Sequence, residues 1–310
     1  MTPIGIAALF VGAFLISVVG VRLSISVARR FGAVDAPDME RKQQEGPIPR
    51  LGGVAVALAF LMATLVVSQF LPMVSGWMAL SIVGPAFLVA VIGLADDTRH
   101  LSPWIRMSVQ ALAALLAFVL GTRIEVFGPT WLNVVVFVLW VMVIINGINL
   151  LDNSDGLAAS TVAVAGVGAA AISIYAGQEL VSLLAISLVG VSVGFLWHNW
   201  YPARVYLGDS GAYFLGFIVA VLAVRLRPES SPPTLAALAA VLLLALPITD
   251  TAYVVVRRVS AGIHPFTAGR DHLSHTLQRR GLSVPTSVGV LQLLSVGGAA
   301  SAFALLALGS

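Results

Sequence analysis

Long apolar runs separated by short polar stretches set the pattern of this chain. Ten runs have the length that spans a bilayer as a helix, roughly 17–25 residues. They fall at approximately 3–28, 53–73, 76–95, 103–121, 131–150, 157–176, 180–198, 209–227, 234–256 and 285–309. The fourth and eighth are the weakest, because Arg106 interrupts one and the other has a short uncharged core. No run alternates with a period of two, so the pattern predicts helices and not a barrel. The expected architecture is an all-α integral membrane protein with about ten transmembrane helices in one polytopic domain, 1–310. The first run, Pro3 to Gly20, is followed by Arg22 and by no small-residue cleavage site, which predicts a retained span.

Composition agrees with that pattern. Of 310 residues, 59% are hydrophobic and 10% charged, where soluble domains carry about a quarter charged residues. The basic residues cluster in particular loops. Arg29, Arg30, Arg41, Lys42 and Arg50 follow the first run; Arg99 and Arg204 follow the third and seventh; Arg257, Arg258, Arg270, Arg279 and Arg280 follow the ninth. Opposite them stand only Arg123, Arg225 and Arg227. The positive-inside rule then places both termini outside and the odd-numbered loops in the cytosol. A formal net charge of +3 and the absence of a basic stripe argue against nucleic acid as a partner. With no cysteine, thiolate metal sites and thiol nucleophiles are excluded.

The polar clusters (31–52, 95–102, 146–157, 198–209 and 257–284) all fall in odd-numbered loops, so candidate chemistry collects on one side. At its centre, Asn146, Asn149, Asp152 and Asp155 recur every third residue, a spacing that makes a polar stripe on a helix. A helix cap needs one such residue, and four at a membrane boundary ask for a cation, a ligand or each other. The pair Asp96-Asp97 suits a hard cation such as Mg2+ or a proton acceptor beside an anionic substrate. Asp209, between Gly208 and Gly211, reads either as a helix N-cap or as a metal ligand, at a helix N-terminus whose N–H groups favour an anion. Tyr206 belongs to an interfacial aromatic belt or stacks a nucleobase. Lys42 is a phosphate or carbonyl binder, or a topology charge. His272 and His275, three apart and following Arg270-Asp271, fit an anion site better than zinc, which lacks a third ligand at the usual spacing. His100, His198 and His264 read as structural, and Asp250, in the ninth run, as a buried partner or a catalytic group. Acidic groups for a divalent cation and basic groups for phosphate together suggest phosphoryl transfer at a membrane surface. A secondary transporter is the rival, although its acids are expected at mid-span in repeated halves.

These motifs, in this order from Asp35 to Gly281, resemble the polyprenyl-phosphate N-acetylhexosamine-1-phosphate transferases, of the glycosyltransferase 4 type. Asn146 to Leu157 and Gly208-Asp-Ser-Gly211 are the most specific parts. The resemblance implies transfer of a sugar 1-phosphate from a UDP-sugar to a membrane polyprenyl phosphate, with release of UMP and a need for Mg2+ or Mn2+. It implies that Asp96 and Asp97 lie near the lipid phosphate and metal, that Asp152 and Asp155 form a second catalytic pair with Asp155 towards uracil, and that Asp209 is a metal ligand, with Asp97 a further one. Lys42, Asn149, Asn199 and Tyr206 resemble nucleotide-pocket residues; Arg270, His272 and His275 resemble a motif facing phosphate and sugar. It also implies a bacterial inner membrane location, an active site facing the cytosol and a role in starting a cell-envelope glycan, with a homodimer left open. Pro247-Ile-Thr-Asp250 and Pro265 to His272 resemble the N-acetylglucosaminyl branch; the phospho-N-acetylmuramoyl-pentapeptide branch is the alternative. The chain departs from the family pattern at Asn153, where Gly is frequent, at Ser274, where a further His is usual, at Tyr206 for Phe, at Ala212 for Ser and at Gln44 for His.

Overall fold

A computed structural model describes residues 2–35, 47–68, 76–228, 231–265, 267 and 269–309. Lys42, expected at the site, lies outside them. The first helix, α1 (Pro3–Phe31), begins where the Thr2 hydroxyl accepts the Gly5 N–H at 3.2 Å, with proline at its first position. It stops at Gly32, whose φ of 69° is the left-handed conformation that ends helices, just after Arg29 and Arg30 in the last turn. The strands β1 (Val34–Asp35) and β2 (Ile48–Pro49) then pair antiparallel, Val34 opposite Pro49, and an Arg50–Asp35 ion pair closes them.

From there the chain is helical: α2 (Gly52–Ser68), α3 (Gly76–Arg99), α4 (Pro103–Val119), α5 (Thr130–Leu151), α6 (Leu157–Tyr175), α7 (Glu179–Asn199) and α8 (Gly208–Arg225). After them come α9 (Pro233–Leu243), α10 (Ala245–Ser260), the short α11 (Leu273–Arg279) and α12 (Val284–Leu308). Seven of these are long and apolar enough to cross a membrane, or eight if α9 and α10 count as one span; α2 and α4 are shorter, at 17 residues each. Their outer faces need lipid. On α5, Val135, Leu139 and Val143 are 46%, 55% and 44% exposed, while Phe137, Val141 and Ile144 on the other face are fully buried. Apolar side chains on both faces, with only one covered by protein, mark a helix solvated by hydrocarbon. This is a multi-pass, all-α membrane protein.

Two expected boundaries change. The run at 234–256 is not one straight helix: α9 and α10 meet at a 70° bend. Pro247 accounts for it, since proline lacks an N–H and its ring clashes with the carbonyl four residues back, here Leu243, where α9 ends. The third helix continues to Arg99, so Asp96 and Asp97 stand inside its final turn.

At the centre lies α8, buried from Ser210 to Ala223 and packed against α2, α3 and α5. Gly93 permits the approach of α3: a Cβ there would sit 2.5 Å from the Asp209 carbonyl oxygen. That contact delivers the end of α3 to the start of α8.

Candidate active site

The site forms where the ends of α3, α5 and α7 meet the beginning of α8. Gly208 opens α8 with φ at +70°, and a side chain there would also collide with the Asp97 carboxylate, 2.8 Å from a notional Cβ. Asp97 accepts hydrogen bonds from the Asp209 N–H at 2.9 Å and the Ser210 N–H at 3.2 Å, and Asp152 accepts the Gly208 N–H. The first three N–H groups of α8 are therefore engaged by carboxylates of the chain itself. The anion that such a helix N-terminus favours is thus supplied by the chain itself, and Asp209 is not the cap: Leu207 occupies that position.

The four-residue stripe also resolves differently from its spacing. Helix α5 ends at Leu151, and Asp152 to Gly156 form a turn. Each member reaches a different neighbour. Asn146 donates to Gln110 of α4 at 2.7 Å and serves packing; Asn149 donates to Asp209 at 2.6 Å; Asp152 meets Gly208; Asp155 accepts the Ala203 N–H at 2.9 Å. Burial and the nearby Asp209 and Asp97 charges push the Asp152 carboxyl well above its usual range. Burial also raises Asp155, against the Ala203 N–H, and carries Tyr206 up to about 12, with Asp155 and Asp152 adding to it.

Asp96 joins the cluster through a side-chain hydrogen bond with Asp209 and is also tied to the helices around it. It is 3% exposed and accepts from the Leu101 N–H at 2.7 Å, from Arg106 at 2.7 Å and from the Tyr213 hydroxyl at 3.2 Å. A carboxylate so enclosed by donors anchors α3 to α4 and α8. Arg106, which in sequence only interrupted an apolar run, is its counter-ion. Asn199, expected in a nucleotide pocket, is buried with its amide committed at both ends: it accepts from the Gly156 N–H at 3.1 Å and donates to the Val205 carbonyl at 2.9 Å. It shapes the loops around the site and is not free for a ligand. Tyr206 is half-buried, its N–H donating to Pro49 of β2 at 2.8 Å.

The last loop folds over this cluster through two buried contacts. Arg258 is 4% exposed and grips Asp271 with two hydrogen bonds of 2.7 Å, while also donating to the Pro265 carbonyl at 2.6 Å. This bidentate pair holds the Asp271 carboxyl below its usual range. Asp250 of α10, 1% exposed, lies 2.8 Å from His272 Nδ1 and accepts the Leu273 N–H at 2.9 Å. It fixes the ring of His272 and the start of α11 together. His275 packs edge-on to His272, ring centroids 5.8 Å apart; burial and the charges of His272 and Arg270 lower it to about 4. Arg270 is exposed and makes no side-chain ion pair among the described residues.

Among the described residues no three His, Asp or Glu side chains converge as a full metal-ligand set. Mg2+, however, commonly takes one or two carboxylates and completes its octahedron with water and substrate phosphate. Asp209 and Asp152 fit that demand: both are oxygen donors, and the Asp209 charge raises the electrostatic cost of ionising Asp152 unless a cation intervenes.

The chain thus gathers acidic residues at one end of its apolar helices, overlaid by a loop bearing Arg and His. Comparison with known proteins gives the family. The model of glycosyl transferase family 4 matches residues 77–227. A Streptomyces coelicolor protein provisionally named a glycosyltransferase is 32% identical over 303 residues, covering 96% of this chain and 68% of its own. Undecaprenyl-phosphate α-N-acetylglucosaminyl 1-phosphate transferase of Escherichia coli K12 is 25% identical over 289 residues (87% and 76% covered). Decaprenyl-phosphate N-acetylglucosaminephosphotransferase of Mycolicibacterium smegmatis is 29% identical over 301 residues (86% and 74% covered). The chain belongs to the polyprenyl-phosphate N-acetylhexosamine-1-phosphate transferases of glycosyl transferase family 4.

Proposed function

We propose that this protein transfers N-acetylglucosamine 1-phosphate from UDP-N-acetylglucosamine to a polyprenyl phosphate, giving polyprenyl diphosphate N-acetylglucosamine and UMP. The observation that carries this reading is the convergence of Asp97, Asp152 and Asp209 on the first turn of α8, beside the Arg270–His275 segment. The names of the relatives supply the acceptor lipid and the sugar. With α2 and α4 as crossings and α9–α10 as one, the bundle has ten spans, both termini outside and this site at the cytosolic face of a bacterial inner membrane.

In the reaction an oxygen of the lipid phosphate attacks the β-phosphorus of the nucleotide sugar. The new P–O bond forms as the bond to the bridging oxygen breaks, and UMP leaves with that electron pair. The acceptor needs no strong base, because a phosphate monoester has a second pKa of about 6. Bound Mg2+ (or Mn2+) would offset charge on the diphosphate. Asp209 and Asp152 would hold that ion, Asn149 keeping the Asp209 carboxylate oriented. Asp97 keeps the start of α8 rigid beneath them, and Asp96 acts through Arg106 on the same scaffold. Asp155 and Tyr206 would border the nucleotide, and Arg270 with His275 would face phosphate oxygens.

The test is turnover by purified enzyme with undecaprenyl phosphate and a panel of UDP-sugars, following UMP. UMP release with UDP-N-acetylglucosamine is expected. Release only with UDP-MurNAc-pentapeptide would move the protein to that branch, and none with any UDP-sugar would favour a transporter.

A further inference from the structure

A second set of charges lies at the opposite ends of the same helices, about 25 Å away along α8. Here the α4–α5 connection, the α6–α7 connection and the end of α8 border an open depression of about 620 Å3, lined by Arg123, Arg225 and Arg227 together with Glu125 and Glu179. Arg227 pairs with Glu125 at 3.6 Å. Arg225 is half-buried, its guanidinium donates to the Thr122 hydroxyl at 2.7 Å, and no carboxylate among the described residues pairs with it. Arg123 is exposed and lies 5.8 Å from the Phe118 ring, also without an ion-paired carboxylate among the described residues. Among the described residues the wall thus carries three guanidinium groups against two carboxylates, and those of Arg123 and Arg225 are in no ion pair.

Beside the depression runs a cavity of about 180 Å3, sharing Arg123, Glu125, Val224 and Arg227 as its wall. Its remaining lining is apolar: Phe127 and Trp140 on one side, Ala236, Ala237 and Val241 of α9 on the other. The Trp140 indole N–H is turned away, donating to the Ala220 carbonyl at 3.0 Å, so the ring offers only carbon. A basic well opening into an apolar slot, at the depth where helices leave hydrocarbon, matches an amphiphile with an anionic head. An isolated phosphate would use the well and leave the slot without purpose.

The geometry points to a binding site for an anionic phospholipid, its phosphate against Arg225 and Arg123 and part of one acyl chain in the slot between α5 and α9. The site is separate from the transferase centre. Native mass spectrometry of the delipidated protein in detergent, titrated with dioleoyl phosphatidylglycerol or dioleoyl phosphatidylcholine, tests it. The wild type should retain phosphatidylglycerol at least about tenfold more strongly, and R123Q/R225Q should lose that preference. Ala237→Phe, which fills the slot without altering charge, should weaken both lipids. R123Q alone changes an exposed side chain and should lower the preference even where the double variant fails to fold. Equal retention of the two lipids by the wild type, or an unchanged preference in R123Q, would overturn the proposal. Thermal stabilisation by inorganic phosphate equal to that by phosphatidylglycerol would overturn the lipid as ligand.

Discussion

Ser274 of α11 donates its hydroxyl to the side-chain carbonyl of Asn153, whose own amide donates to the Leu150 carbonyl. Two of the five residues at which the chain departs from its family's pattern are thus partners. Together they tie the turn after α5, which carries Asp152 and Asp155, to the short helix that carries His275. Gln278 supports the same junction through Ser154 at 3.3 Å. Ser274→Ala and Asn153→Ala should each raise KM for the nucleotide sugar several-fold. Because each removes the same contact, the double variant should be little worse than either single one. A double-mutant cycle on kcat/KM measures this, with a coupling of about 1 kcal/mol expected; simple additivity would mean that the contact does not join the two segments in catalysis.

Asp250 is expected to act through His272. Replacing it with Asn keeps one oxygen for the Leu273 N–H but can set an NH2 against His272 Nδ1, so the ring must flip or change tautomer. A contact of this kind to a potentially charged group is worth about 1.5–3 kcal/mol. Asp250→Asn should therefore lower kcat by about ten- to a hundredfold with little change in KM. A loss that appears only as reduced thermal stability would assign the pair to folding alone.

The membrane class and most helices were legible because a helix in lipid must be apolar for its whole length, whatever it packs against. The clustering of Asp96, Asp97, Asp152, Asp155 and Asp209 was legible because such residues are expensive at a membrane boundary. Their division of labour was not. Nothing in the Asp96-Asp97 pair says that one is enclosed by Arg106 and Tyr213 while its neighbour caps a helix from another part of the chain. Arg258 read as one more topology charge, yet it is buried and holds the last loop. Partners distant in sequence leave no periodicity. Pro247 did carry a local signal for the break between α9 and α10, hidden within a continuous apolar run.

The Asp152–Asp209 pair predicts a conflict between stability and function. Because Asp152 is raised in the folded protein, its protonated form is favoured there, and stability declines as pH rises through that raised value. A divalent cation should reverse the decline. In chelator at pH 8, Asp152→Asn should melt a few degrees above the wild type yet lose turnover by about 10² or more. Mg2+ should raise the melting temperature of the wild type and have little effect on Asp152→Asn or Asp209→Asn. An equal Mg2+ response in all three proteins would remove these carboxylates as its ligands.

His275 makes the opposite pH prediction. Its folded value of about 4 lies below the ordinary 6.5, so the unfolded chain binds the proton more readily. The stability linked to this ring is present above pH 6.5 and lost as pH falls towards 4. The full difference would correspond to about 3 kcal/mol; solvent access to a ring that is only partly buried reduces this to about 1 kcal/mol. The wild type should thus lose a few degrees of melting temperature between pH 6.5 and 4.5, and His275→Gln should lose less over the same interval. The neutral ring would meet phosphate as a hydrogen-bond donor, leaving Arg270 as the fixed charge beside it. Arg270→Gln should then weaken nucleotide-sugar binding more steeply at low salt than at high salt, whereas His275→Gln should show the same defect at both. Identical salt dependence in the two variants would contradict this assignment of charge.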